Sequence, residues 1–200
     1  MDLSEKFLEK KKKIIEEYNK SAFYYDDRYR EIQISKFNLL LRNVFFNNII
    51  LLDGGCGTGL LAEYLKSKLE LGFHKQLHYI GLDISIEMLL RFFSKIKDNK
   101  VLTLTHLILA DISHLPFRDN LFDVIASFTS LQNLPDPING IHELKRTSKH
   151  EAWFIVSILK KDKRLEEINQ VIKSFLNHKE IILRPEIEDL MIKGQIIKNQ

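Results

Sequence analysis

Two periods of hydrophobic and polar positions run along this chain, and the change from one to the other marks its elements. Between residues 4 and 42, Phe7, Leu8, Ile14, Ile15 and Tyr18 recur at helical spacing with Lys and Glu between them, which predicts two amphipathic helices. From Asn48 the pattern shortens. Ile49-Ile50-Leu51-Leu52 is an apolar run stopped by glycines, as a buried strand would be. A helix is expected from about Thr58 to Leu71, a strand from Leu77 to Leu82 and a helix from Ser85 to Lys97. A third strand is drawn from Val101 to Leu109, and a buried fourth from Phe122 to Phe128. Asp136-Pro137 starts the next helix, because Asp caps free amides and Pro suits the first helical position. Ile138, Ile141 and Leu144 line one of its faces. Ala152 to Leu159 reads as a strand, and Leu165, Ile168, Ile172 and Phe175 as the apolar face of a helix. Glu180 to Leu183 and Leu190 to Ile197 read as two short final strands.

Alternating strands and helices call for an α/β three-layer sandwich: a mainly parallel seven-stranded sheet with helices on both faces and an N-terminal helical extension. One domain is expected over residues 1–200, with a helical cover at 1–47, a binding core at 48–160 and a C-terminal helix and hairpin at 161–200. Ligands of such sheets sit beyond the carboxyl ends of the strands, where the strand order switches. The ends of the first four strands are therefore the places to look for chemistry.

Composition narrows the picture a little. The 44% hydrophobic and 28% charged residues are those of a globular protein. The net charge of +3 is too small to require a polyanionic partner. Lys10 to Lys13 falls within the first helical pattern and reads as a solvated face. The single cysteine, Cys56, excludes an internal disulfide and a Cys-rich zinc site, so no metal is expected and a reducing cytoplasm is the natural reading. No apolar run approaches a membrane span or a signal peptide, and no membrane insertion is expected.

The first strand ends in Asp53-Gly54-Gly55-Cys56-Gly57-Thr58-Gly59. Three alternating glycines let the chain turn tightly and approach a ligand, and the helix behind them offers free amides. Gly57-Thr58-Gly59-Leu60-Leu61-Ala62 also fits the permissive dinucleotide fingerprint, so a nicotinamide-dependent oxidoreductase is a competing reading. Asp53 opposes it, since a carboxylate before the glycines would repel a pyrophosphate and favour an ammonium group. The second strand ends in Gly81-Leu82-Asp83-Ile84-Ser85, where an acid can accept from both hydroxyls of a ribose. Asp83 is read as facing a ligand, so that its loss should spare the fold; the alternative is that it caps the next helix, for which Ser85 is better placed. The third strand leads into Ala110-Asp111-Ile112-Ser113, where Asp111 can accept from an exocyclic amine while Ile112 and Met88 pack a base.

Asp53-x-Gly55-x-Gly57-x-Gly59, then Gly81 to Ser85 with Met88, then Ala110-Asp111 with Leu115-Pro116-Phe117, then Phe122-Asp123-Val124-Ile125 resemble the successive motifs of class I S-adenosylmethionine-dependent methyltransferases of the type 11/25 kind. The likeness covers roughly residues 49 to 159. It implies a Rossmann-like fold and S-adenosylmethionine as cofactor. It further implies that Asp53 and the backbone of Gly55 and Gly57 hold the methionine portion, and that Asp83 holds the ribose. Ile84, Met88, Asp111 and Ile112 would form the adenine pocket, and Ser127 would lie beside the sulfonium and the acceptor. Gly54 departs from the family, which usually has a larger apolar residue there, so a looser turn is expected. The segment Tyr24 to Arg30 is expected to fold over the cofactor, as it does in related enzymes.

The methyl acceptor is not identified by these residues; small molecules, RNA and protein all remain, no residue is assigned as catalytic, and Gln132 and Asn133 either orient an acceptor or make turn hydrogen bonds. A silent cofactor-binding module acting with a partner protein is a further alternative. The stretch His78 to Leu131 is similar to RNA guanine methyltransferases and their relatives, some of which work with a small zinc-binding activator. Such an activator, or a second copy of the chain, could pair with the third strand. That strand is expected at an open sheet edge and, from Val101 to Leu109, contains no Lys, Pro or acidic residue to guard it.

Overall fold

The computed structural model describes residues 3–69, 77–97 and 104–198. Two helices, α1 (Leu3–Ser21) and α2 (Tyr25–Leu40), precede the sheet. The chain then runs β1 (Ile49–Gly54), α3 (Leu60–Leu69), β2 (Leu77–Asp83), α4 (Ile86–Ile96), β3 (Thr105–Leu109) and β4 (Phe122–Phe128). A 3-10 turn at Leu131–Asn133 leads to α5 (Pro137–Thr147), β5 (Ser148–Leu159), α6 (Leu165–Ser174), β6 (Leu176–Ile182) and β7 (Asp189–Ile196). The seven strands form one sheet in the order β3-β2-β1-β4-β5-β7-β6. Pairing is parallel from β3 to β5, and β7 runs antiparallel to both its neighbours. The order switches between β1 and β4, so the crevice expected of such sheets opens at their carboxyl ends.

Successive residues of a strand point to opposite faces, and the core divides accordingly. Leu51, Tyr79, Val124 and Ala126 meet Phe37 and Leu40 of α2, Leu61 and Leu65 of α3 and Phe92 of α4. Leu52, Leu82, Ile125 and Phe154 meet Ile141 and Leu144 of α5 and Ile168 and Ile172 of α6. Helix starts follow the local chemistry. Asp136 accepts from the Asn139 amide at the head of α5, with Pro137 at its first position, and Ser85 accepts from the Met88 amide at the head of α4.

Several boundaries move for physical reasons. The helix after the glycines begins at Leu60 rather than Thr58, because Gly59 takes a φ of 82°, which a right-handed helix cannot include. The fifth strand starts at Ser148, since Ser148 pairs with Phe122 before an irregularity in the register, near which Glu151 takes a φ of 60°. Likewise β6 starts at Leu176, earlier than expected, and is irregular between Asn177 and Glu180. As an edge strand exposed along Asn177 to Ile181 it carries no alternating apolar signal. Residues 101–103 of the expected third strand, and 70–71 of the expected helix before the second, lie outside the described residues.

Candidate functional site

The floor of the site is the glycine turn after β1. Gly55 has a φ of 78°, and a Cβ there would stand 2.2 Å from the Ser130 hydroxyl. Gly59 has a φ of 82°, and its Cβ would strike the Phe92 ring at 2.3 Å. No side chain fits at either place; at Gly55 the backbone itself lines the crevice, and at Gly59 it lies against the buried Phe92 ring. Gly54 does not loosen the turn. A Cβ there would meet Leu144 at 3.4 Å and Ile112 at 3.6 Å, so larger neighbours fill the space that a larger residue at this position would have occupied.

Around this turn lies a cleft of some 670 Å3, partly open to solvent. Gly55, Gly57, Asp83, Ile84, Met88, Asp111 and Ile112, seven of the residues singled out from the sequence, line it together. Asp53 lies just behind, in a smaller recess that shares Tyr25, Gly55, Gly57 and Phe128 with the cleft. Ser127 is not brought there. It is fully buried within β4 and its hydroxyl has no partner, because the chain turns toward the cleft only after it, at Phe128, Thr129 and Ser130.

The carboxylates differ in setting. Asp53 accepts from the Tyr79 hydroxyl. Burial pushes its carboxyl up to about 7, against the Tyr79 hydrogen bond and with the charge of Asp83 adding to the rise. Asp83 accepts from the amides of Gly57 and Ser85, each at 2.8 Å. It is therefore a structural clip as well as a ligand candidate, which corrects the expectation that its loss would spare the fold. Burial raises its pKa, and the amides of Ser85, Gly57 and Ile84 oppose the rise. Asp111 is different. Burial opposes its ionisation but is outweighed by the Lys11 ammonium, at 2.6 Å, and by the Ser113 amide, so its pKa lies below the ordinary value.

Lys11 shows what the sequence pattern hid. Lys10 and Lys11 fall three and four residues after Phe7 and so share the inward face of α1. Lys10 donates to the Leu134 carbonyl at 2.8 Å and Lys11 pairs with Asp111, so only the remainder of the lysine run is a solvated face. Farther along α1, Tyr18 accepts from the Asn133 amide and Asn19 accepts from the Ser85 hydroxyl, both at 2.6 Å. Ile14, Tyr18 and Tyr25 face the cleft, so α1 and the head of α2 cover it. Asp26 fastens α2 to the floor through Thr58 and to α4 through Lys95, while Arg30, paired with Asp26 within α2, also reaches Glu63 of α3.

At the far end of the cleft Thr129 has a φ of 55°. Its hydroxyl accepts from Lys36 at 2.7 Å and donates to Asp189 at 3.0 Å, and Lys36 and Asp189 form a buried ion pair at 2.6 Å. The Thr129 carbonyl accepts from the amides of both Gln132 and Asn133, so both make turn hydrogen bonds, and only Asn133 also lines the cleft. Arg164 donates to the carbonyls of Gln132, Leu134 and Pro135, fixing the same loop from outside. Among the described residues no three His, Cys, Asp or Glu side chains come together as a metal site would require.

Residues 52–156 match the model of the methyltransferase domain family, over half of the chain. The chain belongs to that family. Among curated relatives, malonyl-[acyl-carrier protein] O-methyltransferase of Buchnera aphidicola is 34% identical over 155 residues, covering 74% of this chain and 55% of the relative. The chain spans about half the length of the curated relatives it matches. Among solved structures, magnesium protoporphyrin IX methyltransferase from Synechocystis with bound S-adenosylmethionine aligns with a TM-score of 0.71 at 16% identity, covering 94% of this chain and 97% of that one. The methyltransferase partner of the Trm112 activator in a Haloferax volcanii complex aligns with a TM-score of 0.74 at 14% identity, covering 93% and 98%. The family identifies S-adenosylmethionine as the cofactor and disfavours a nicotinamide dinucleotide. The donor set fits it: unblocked glycine backbone, acids at the ends of β1 and β2 and just after β3, and an apolar slot between Ile84, Met88 and Ile112.

Proposed function

We propose that this chain is a methyltransferase domain that transfers a methyl group from S-adenosylmethionine to a small, uncharged acceptor. The observation that carries the reading is the convergence of Asp83, Asp111 and the Gly55–Gly57 backbone on one cleft, with Asp53 in the recess behind it. In this assignment Asp53, Gly55 and Gly57 hold the methionine portion and Asp83 the ribose. Ile84, Met88, Ile112 and Asp111 hold the adenine. Bound S-adenosylmethionine supplies an activated methyl on a sulfonium, and the protein's part is to orient the acceptor and exclude water. No general base is assigned, since direct displacement does not require one.

The acceptor class follows from what remains of the cleft. Beyond the cofactor residues it is lined by Tyr18, Tyr25, Phe128, Leu134 and Pro135, with Thr129, Ser130 and Asn133 as the polar groups. Lys11, Asp83 and Asp111 are the charged lining residues, and all three belong to the cofactor assignment or pair with it. Aromatic walls with a few fixed hydrogen-bonding groups suit a small planar or apolar molecule better than RNA, whose phosphates call for lysine and arginine. Residues 1–200 act as one domain in this reading, with α1 and the head of α2 as its cover. The buried Cys56 suits the cytoplasm assigned to it. No helix among the described residues is long and apolar enough to cross a membrane. Incubation with cofactor labelled in the methyl group and fractionated cell extract tests the proposal. Label in small molecules is expected; label in RNA or protein fractions would overturn the acceptor class, and label in none would favour a silent binding module.

A protein partner at the β3 edge belongs to the same proposal. The Leu104 carbonyl accepts from Tyr79 of β2, and the Ala110 amide donates to Asp83. Backbone groups alternate in direction along a strand, so Thr105, Leu107 and Leu109 turn theirs away from β2. A small activator protein, or a second copy, could add a strand there. Leu109→Pro removes one outward amide while leaving the inward ladder intact. It should abolish co-purification with an activator or self-association, measured by light scattering, and leave cofactor affinity unchanged. Identical behaviour of the wild type and the variant in both assays would dismiss the interface.

A further inference from the structure

The recess behind the glycine turn holds a second group that the chemistry so far has not used. Gln33 lies on α2, two turns after Tyr25 and one before Phe37, so the three side chains fall on one side of the helix and all line the recess. Gln33 is only 6% exposed. Its carbonyl oxygen Oε1 is buried with no hydrogen-bond partner among the described residues. A buried amide oxygen left unpaired is costly, and proteins keep such groups chiefly where a ligand or water completes them.

The surroundings narrow what that ligand can be. Asp53 lines the same recess, so two acceptor side chains face one small space. Among the described residues no lysine, arginine or histidine lines it, and the Thr58 hydroxyl is turned away to Asp26. The recess adjoins the main cleft at the shared residues Gly55, Gly57, Tyr25 and Phe128. A largely apolar space that holds two acceptor side chains and no cation, beside the main cleft, suits a positively charged donor at the end of a longer ligand.

We propose that Gln33 supplies, beside Asp53, a second acceptor for the ammonium group at the amino-acid end of the cofactor. This rests on the chain binding S-adenosylmethionine, and it adds a contribution from α2 to a site otherwise built by the sheet. It also gives the cover a role in recognition. α2 would sense the amino-acid end of the ligand directly, whereas α1 lies over the nucleoside.

The test separates the two ends of the ligand. Titration calorimetry of the wild type, Gln33→Met and Gln33→Glu uses S-adenosylhomocysteine, which has the ammonium group, and 5′-methylthioadenosine, which lacks the amino-acid end. Gln33→Met should weaken S-adenosylhomocysteine binding about tenfold, as expected for one charge-assisted hydrogen bond, and change methylthioadenosine binding by less than about twofold. Gln33→Glu keeps an acceptor and should bind S-adenosylhomocysteine at least as tightly as the wild type. Equal losses for both ligands would mean that Gln33 only supports the fold. A Glu variant weaker than the Met variant would mean that a carboxylate, not an ammonium, faces residue 33. Either result overturns the proposal. If Gln33→Met fails to fold, the Glu variant decides by the same two-ligand comparison. A wild type that binds neither ligand would sink the cofactor reading itself, an outcome distinguishable from a failure confined to Gln33.

Discussion

The floor and the cover of the cleft are built by opposite means. The floor consists of backbone turned by Gly55, Gly57 and Gly59, held by the buried Asp83 and packed on Phe92. The cover α1 is attached by single polar contacts between its side chains and separate parts of the rim: Lys10 to Leu134, Lys11 to Asp111, Tyr18 to Asn133 and Asn19 to Ser85. Buried backbone bonds of the first kind break only when the fold breaks. Partly exposed contacts of the second kind contribute little each and can open singly. A floor that stays ordered under a cover that lifts is a workable way to admit a ligand into a closed site.

The largest expected effect comes from attacking the floor at Asp83. Asp83→Ala strands the buried amides of Gly57 and Ser85 and removes the proposed ribose acceptor together. Stability should fall by about 2–4 kcal/mol, two charged hydrogen bonds at roughly 1.5–3 kcal/mol each with partial relaxation. Cofactor affinity should fall by roughly a hundredfold or more. Thermal melts and calorimetry report the two separately. A variant that loses affinity but melts like the wild type would show that the clip to the glycine turn is not structural.

Next comes acidity. Asp53, raised to about 7 by burial, is partly protonated near neutrality. An ammonium ligand binds its charged form, so above about pH 7 the full attraction is present. Below that pH a proton must first leave. S-adenosylhomocysteine affinity should therefore weaken by up to about tenfold per pH unit as the pH falls below 7. Asp83, also raised, contributes in the same direction, whereas Asp111, held low, does not titrate in this range. Asp53→Asn separates them: affinity drops at high pH and the slope below pH 7 becomes shallower. A slope unchanged in Asp53→Asn would remove Asp53 from the ammonium site.

Much of the floor was legible in the sequence; the cover was expected as helices over the site, but the contacts that attach it were not. Strand ends and glycines are local signals: Asp53, Asp83 and Asp111 stand where apolar runs stop, and the sheet then brings them together. Ser127 was misplaced by the same logic, because the residue at which a strand bends into a cleft depends on Thr129 adopting positive φ, which no apolar pattern encodes. The cover's contacts join residues more than a hundred positions apart, as Lys10 to Leu134 and Tyr18 to Asn133 do. Their signal was weak but present: Lys10, Lys11 and Gln33 fall at helical spacing from apolar or aromatic inward residues. A lysine at such a position has a buried stem and a head that reaches a rim carbonyl or carboxylate. The edge strand β6 was shortened for the converse reason, since exposure leaves it no pattern to read.

The smallest expected effect is on the cover. Lys11 and Asp111 are both partly exposed, so their ion pair should contribute less than about 1 kcal/mol to stability. Lys11→Met keeps the stem that packs against the rim and removes the tether. Melting should hardly change, and equilibrium affinity for S-adenosylhomocysteine should stay within about threefold, because the adenine amine then meets an Asp111 without a competitor for its oxygens. The rates should move more than the affinity. If α1 must lift for the cofactor to pass, one fewer tether speeds entry and exit together, by about two- to fivefold for a contact of this strength. Stopped-flow tyrosine fluorescence, which Tyr18 and Tyr25 in the cleft make possible, measures both rates. Added salt screens the ion pair and should speed the wild type toward the variant while leaving the variant nearly unaffected. If entry and exit rates are the same in both proteins at all salt concentrations, α1 does not gate the cleft, and the contrast between a fixed floor and a lifting cover is wrong for this molecule.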